Sequence, residues 1–140
     1  DLAYSEAFVT HSPNETYQNN SSQGITYPSA EFSKEAMIKC LPGCMPVWRK
    51  SMHDKAGSFD ETYRSAGDWE MWLRAVRAGC QFKKVDRVCG VYYVNPTGIS
   101  TNTKTQKEKF SEEQQVFWEY TDLFGLNITN QYREYFSRAR

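Results

Sequence analysis

With 140 residues and balanced charge from 17 basic and 17 acidic side chains, the chain can hold one modest core and presents no net field toward nucleic acid or an anionic membrane. Aromatic residues make up 15%, enough for a packed core and for the stacking surfaces on which sugars are held. No apolar run approaches the ~20 residues of a membrane span and no signal-peptide pattern opens the chain, so a soluble, cytoplasmic setting without a transmembrane segment is expected.

In chain order, Asp1 to Thr10 is strand-like, with Leu2, Ala3, Tyr4, Phe8 and Val9. His11 to Ser29 is polar, broken by Pro13 and Pro28, and reads as a long loop. It contains the glycosylation sequons at Asn14, Asn19 and Asn20, a fourth lying at Asn127, but that pattern is frequent by chance and matters only in a secretory compartment. Ser29 to Lys39 predicts a short helix stopped by Pro42-Gly43, and Gly43 to Arg49 a strand whose Pro46 places it at an edge or bulge.

Ser51 to Ala56 predicts a second short helix with Ser51 as N-cap, Asp54 at the capping-box position and an exposed His53. Gln81 to Tyr93 predicts two short strands around Asp86-Arg87, followed by a turn at Asn95 to Gly98. Helical pattern resumes from Lys107, with a helix beginning near Ser111, a break at Gly125 or Asn127, and a last helix over 130–138. Four cysteines, Cys40, Cys44, Cys80 and Cys89, are read as reduced and packed as small hydrophobes, because a zinc site needs more ligands than surround Cys40 and Cys44.

The most informative stretch is Gly57 to Arg74, GSFDETYRSAGDWEMWLR. Trp69, Trp72, Leu73 and Val76 recur at helical spacing, so one helix face is built for burial, while Glu70, Arg74 and Arg77 lie off that stripe. Gly79 closes the helix, and Ser65 with Asp68 resembles a capping box. Asp68 at a helix start has two explanations. It is a capping residue favoured by the helix dipole, or a fixed carboxylate that takes a proton as a general base. Local spacing does not choose between them.

The run from Val47 to Ser100 resembles the acceptor-side half of family 2 glycosyltransferases, which have the GT-A fold. The likeness lies in the order of Val47 to Arg49, the G-x-F-D-E turn at Gly57 to Glu61, Gly67-Asp68 opening the W-x-x-W-L-R helix, Gly79, and the Y-x-x-x-P-x-x-x-S tail from Tyr92 to Ser100. It implies an α/β fold: the C-terminal, acceptor-binding part of a GT-A nucleotide-diphospho-sugar transferase, a mixed sheet with flanking helices. Residues 1–106 would form that half and 107–140 a helical extension. The D-x-D motif that holds metal and nucleotide in the family occurs nowhere in the sequence, so the chain is expected to be a piece of a larger enzyme, inactive by itself.

By the same resemblance Asp68 matches the catalytic base, and Gly43, Arg49, Gly67 and Trp69 are the substrate-binding candidates. Gly67 stands where the family has glutamate, and Asn95 where many relatives have histidine, so no metal-ligand role passes to this chain. The reaction implied is inverting, non-processive transfer from a nucleotide-sugar donor to a glycan or other hydroxyl acceptor, as in cell-surface polysaccharide assembly. A divalent metal, manganese or magnesium, would be held mostly by residues outside the chain. From the residues alone, Gly43 also suits a simple turn and Arg49 a structural ion pair. A reading of another class also stands, in which the chain is a non-catalytic glycan- or protein-binding module and Asp68 only a cap.

Overall fold

The computed structural model describes residues 1–138, and the last two residues of the expected helical extension lie outside them. Strand β1 (Leu2–Thr10) is central in a four-stranded sheet, and the fold is mixed α/β. Two antiparallel partners share one side of β1: the short β2 (Thr26–Tyr27) opposite Ala7 and Phe8, and β3 (Pro46–Trp48) opposite Leu2 to Tyr4. Pro46 is tolerated because β3 has only this one neighbour, leaving its other edge free of a ladder.

On the other side β4 (Phe82–Tyr93) runs parallel to β1 along its whole length. The two strands expected around Asp86-Arg87 are therefore one. Register slips at that point, with Ser5 opposite Val85, Glu6 opposite Val88 and Ala7 opposite Gly90, so Asp86, Arg87 and Cys89 are extra residues bulged out of the ladder. A bulge takes polar residues as readily as a turn does, and only the distant partner strand distinguishes them. Cys89 is exposed, in contrast to its expected place in the core.

Parallel pairing requires a crossover, and α1 (Met52–Ala56) and α2 (Gly67–Arg77) lie in the connection between β3 and β4. The predicted stripe of α2 is buried, as are Glu70, Met71 and Ala75, so the helix is enclosed on nearly every side. Trp72 packs edge-on against Trp48 of β3 at 5.0 Å and Phe59 at 5.8 Å, and reaches Phe82 of β4 at 6.5 Å. Trp69 turns the other way and stacks on Phe124 at 6.2 Å. Fully burying each such side chain contributes about 1.5–3 kcal/mol. At the C-terminus, Gly79 takes φ +83°, its N–H donates to Val76 O, and Cys80 N–H donates to Ala75 O. That pair of bonds is a Schellman motif, which the expected glycine makes possible.

Helices α3 (Gln106–Glu119) and α4 (Thr121–Phe136) cover the far side of α2, and the expected break falls at Gly125, where φ is 73°. Their aromatics form a stack, with Phe117 4.3 Å from Phe136 and 5.9 Å from Phe124. They share one core with Leu2, Tyr4 and the α2 tryptophans. Three local expectations are revised. Residues 29–39 yield only a 3-10 turn at Glu35–Lys39, Ser51 makes no side-chain cap, and His53 is half-buried. His53 Nε2 accepts from Trp48 Nε1–H at 3.0 Å, and the remaining ring nitrogen lies 2.8 Å from Gly57 O, fixing the tautomer in which Nδ1 donates. No helix among the described residues is long and apolar enough to cross a membrane.

Glu70 and Arg74 do not form the solvated face suggested by their position off the stripe. Glu70 is 4% exposed and receives two bonds of 2.8 Å from Arg74, from Nε and Nη2, and one of 2.7 Å from the Tyr120 hydroxyl. Arg74 also donates to Ala56 O and Ser58 O, joining α1, α2 and the α3–α4 junction. Burial alone would raise the Glu70 carboxyl, but the bonds from Arg74 and Tyr120 outweigh it and hold it below the ordinary 4.5. Its contribution to stability is therefore present above about pH 4.5 and lost as pH falls through the lower folded value.

Arg74→Met is expected to destabilise the fold by about 3–5 kcal/mol by leaving a buried carboxylate unpaired, and Tyr120→Phe by about 1–3 kcal/mol. Denaturant melts between pH 5 and 3 check the sign, because this part of the wild-type stability falls on acidification whereas Arg74→Met should recover some stability as Glu70 is neutralised.

Candidate functional site

The α2 N-terminus opens onto a cavity of about 430 Å³. Its floor and walls come from Tyr27 of β2, the turn carrying Cys40, Gly43 and Cys44, the start of α2, and residues of β4, α3 and α4. The turn is tied to α2 by Trp69, whose Nε1–H donates to Met37 O at 2.7 Å. Gly43 holds φ +52° there, so the position is constrained by its backbone, and an added Cβ would lie 3.5 Å from the Tyr27 ring. Tyr27 and Tyr92 meet edge-on at 5.2 Å, which places two aromatic side chains on one wall.

Asp68 lies in the first turn of α2 and lines the cavity. The expected capping box is absent. The helix begins at Gly67, Ala66 stands at the cap without a side-chain bond, and the Ser65 hydroxyl oxygen is buried with no protein partner. Asp68 Oδ1 instead accepts the Trp69 N–H at 2.7 Å. Burial raises its carboxyl above the ordinary 3.8, and backbone N–H groups and Lys109 offset only part of that. The side chain is nonetheless accessible to solvent. A carboxylate on a concave wall has both properties, since protein atoms crowd it from several sides while one side stays open.

The same geometry acts on the thiols. Cys40, which lines the cavity, is pushed strongly upward by burial, with the Asp68 charge adding to it, and burial also raises Cys44. Both stay protonated at neutral pH, so neither is an activated nucleophile. Tyr27 is raised by burial first and then by Tyr92, the two thiols and Asp68. Asp68 is therefore a lining carboxylate whose affinity for a proton is raised above the ordinary value. Lys109 and Glu113 add two charged groups to the lining and pair across one helical turn of α3 at 3.7 Å.

Of the residues singled out in the sequence, the structure brings Asp68, Trp69 and Gly43 together around the cavity. Gly67 is outside the lining, and a Cβ there would sit 3.3 Å from Tyr63 Cβ, so the position occupied by glutamate in the family is closely approached here. Arg49 is exposed, outside the cavity, and in no ion pair among the described residues. Sequence reasoning did not assign Tyr27, Tyr92, Lys109 and Glu113 to the site, which they join from three separate segments, β2, β4 and α3. Among the described residues no three His, Cys, Asp or Glu side chains are grouped to hold a metal ion, so no step is assigned to one. No protein-family model, curated protein or solved structure matches the chain.

Because the folded state favours neutral Asp68, Asp68→Asn is expected to raise the melting temperature at pH 7 by about 1–3 °C, solvent exposure keeping the effect small. The gain should vanish below the ordinary value of 3.8, where both forms are uncharged, and thermal melts at pH 7 and pH 3 measure the difference.

Proposed function

We propose that this chain is the acceptor-side part of an inverting glycosyltransferase of the GT-A type, with Asp68 as general base. The observation that carries the reading is the Asp68 carboxylate on the wall of a cavity of ligand size, its proton affinity raised, beside the Tyr27 and Tyr92 rings, which suit contact with a sugar. A base whose pKa moves toward the working pH combines ionisation with proton affinity, which is what general-base transfer needs.

The acceptor hydroxyl, held in the cavity, gives its proton to Asp68 as its oxygen bonds to the anomeric carbon of the donor sugar. The bond from that carbon to the nucleoside diphosphate breaks on the opposite face, and the leaving group departs with the electron pair. Gly43 and Trp69 shape the acceptor pocket, while Arg49 and Gly67 are not among the residues that line it. The nucleotide-sugar donor, with any manganese or magnesium ion, belongs to residues other than these. Four free cysteines suit a reducing cytoplasmic setting.

Sugar transfer by the full-length protein that carries this chain tests the reading. Asp68→Asn should keep the fold and lose about 10²–10⁴-fold in kcat, and the acid limb of the wild-type kcat/KM profile should lie above the ordinary aspartate range. Transfer at the wild-type rate in Asp68→Asn would remove the base. Absence of transfer in both, with a glycan still bound equally by both, would establish the binding module instead.

A further inference from the structure

The segment entering α2 is held by a side chain from far along the chain. Glu112 of α3 accepts three successive backbone N–H groups, Arg64 at 2.9 Å through Oε1 and Ser65 and Ala66 at 2.7 and 2.8 Å through Oε2. A carboxylate that receives three backbone donors stays ionised. Its burial favours the neutral form, but those bonds prevail and hold it below the ordinary 4.5. The gripped residues end two positions before Asp68, and Ser65 and Ala66 themselves line the cavity. Neither Ser65 nor Ala66 caps the helix with a side chain, and Glu112 holds instead the approach to the helix, from Arg64 to the cap residue Ala66, ahead of the first-turn N–H groups that a local cap would take.

We infer that Glu112 is a positioning residue for the cavity wall formed by Ser65, Ala66 and Asp68, so that α3 sets the geometry of the proposed base. This rests on the proposed function only for its catalytic consequence. The clamp is a property of the fold and is judged separately. Glu113, the next residue, lines the cavity and pairs with Lys109, so one turn of α3 supplies both the lining and the clamp. Shortening Glu112 by one methylene withdraws both oxygens from the three donors, whereas glutamine keeps the length and one acceptor oxygen but loses the charge.

The test compares wild type with Glu112→Asp, Glu112→Gln and Glu112→Ala in the 140-residue chain, by amide hydrogen exchange and by NMR titration of the Asp68 carboxyl. Exchange at Arg64, Ser65 and Ala66 should accelerate at least about 10-fold in Glu112→Ala and Glu112→Asp and less in Glu112→Gln, as expected when a segment loses its bonds without global unfolding. The Asp68 midpoint should fall toward 3.8 as the loosened wall admits water. Unchanged exchange and an unchanged midpoint in a folded Glu112→Ala or Glu112→Asp chain overturn the inference. If those two fail to fold, Glu112→Gln decides by the same readouts. In the full-length protein, Glu112→Asp should lower kcat about 10-fold or more with KM little changed, and Glu112→Gln should restore part of it. Loss of the clamp signature with wild-type kcat retained overturns the catalytic consequence. Absence of transfer in the wild type counts against the glycosyltransferase reading alone, and the exchange and titration results still decide the clamp.

Discussion

The buried ion pair between Glu70 and Arg74, completed by Tyr120, is the constraint on which the remaining arrangement depends. A lone carboxylate at this depth is strongly disfavoured, so α2 can occupy the middle of the protein only when the guanidinium and the phenol are both in place. Arg74 reaches two backbone carbonyls, one at the last residue of α1 and one just past it, and Tyr120 sits where α3 gives way to α4. Burial of the tryptophans supplies driving force without direction, whereas this network fixes how the sheet side and the helical side meet around α2. Arg77 extends the same seam, lying 4.0 Å over the Tyr120 ring while its guanidinium bonds Glu119 O and Asp122.

The site inherits that order. The hydrogen-bonded Glu70 and the Glu112 carboxylate at the entry to α2 hold the chain on either side of Asp68. The two explanations offered for an aspartate at a helix start do not exclude each other, since Oδ1 accepts a helix N–H while the residue lines the cavity. Raised proton affinity here comes from crowding on a concave surface, without a neighbouring acid needed to produce it.

What the sequence revealed divides along lines of chemical distance. The α2 stripe, the Gly79 stop, the break at Gly125 and the edge character of the Pro46 strand were legible because each depends on neighbours within one or two turns. The continuity of β4 was not, since Asp86-Arg87 carries the same local signal for a turn and for a bulge. Burial of Glu70 was hidden because Tyr120, its second partner, lies 50 residues away, and the Glu112 clamp because its targets lie 46 to 48 residues away. Asp68 could be singled out by its position and by the family resemblance. The tyrosines and the lysine that make its surroundings a cavity come from segments with no shared pattern.

The parallel pairing of β1 with β4 also dictates when the protein can fold. The first ten residues find their long partner only after the chain has reached Phe82 to Tyr93, and antiparallel contacts with β2 and β3 leave one side of β1 open until then. Closing so large a loop before any ladder bond rewards it makes this a late, entropy-limited step. During synthesis the apolar β1 strand must therefore wait, half-paired, while some eighty residues emerge from the ribosome. The charged residues bulged from β4 put ionic groups on the last edge to close, a feature that discourages a second nascent chain from pairing there first.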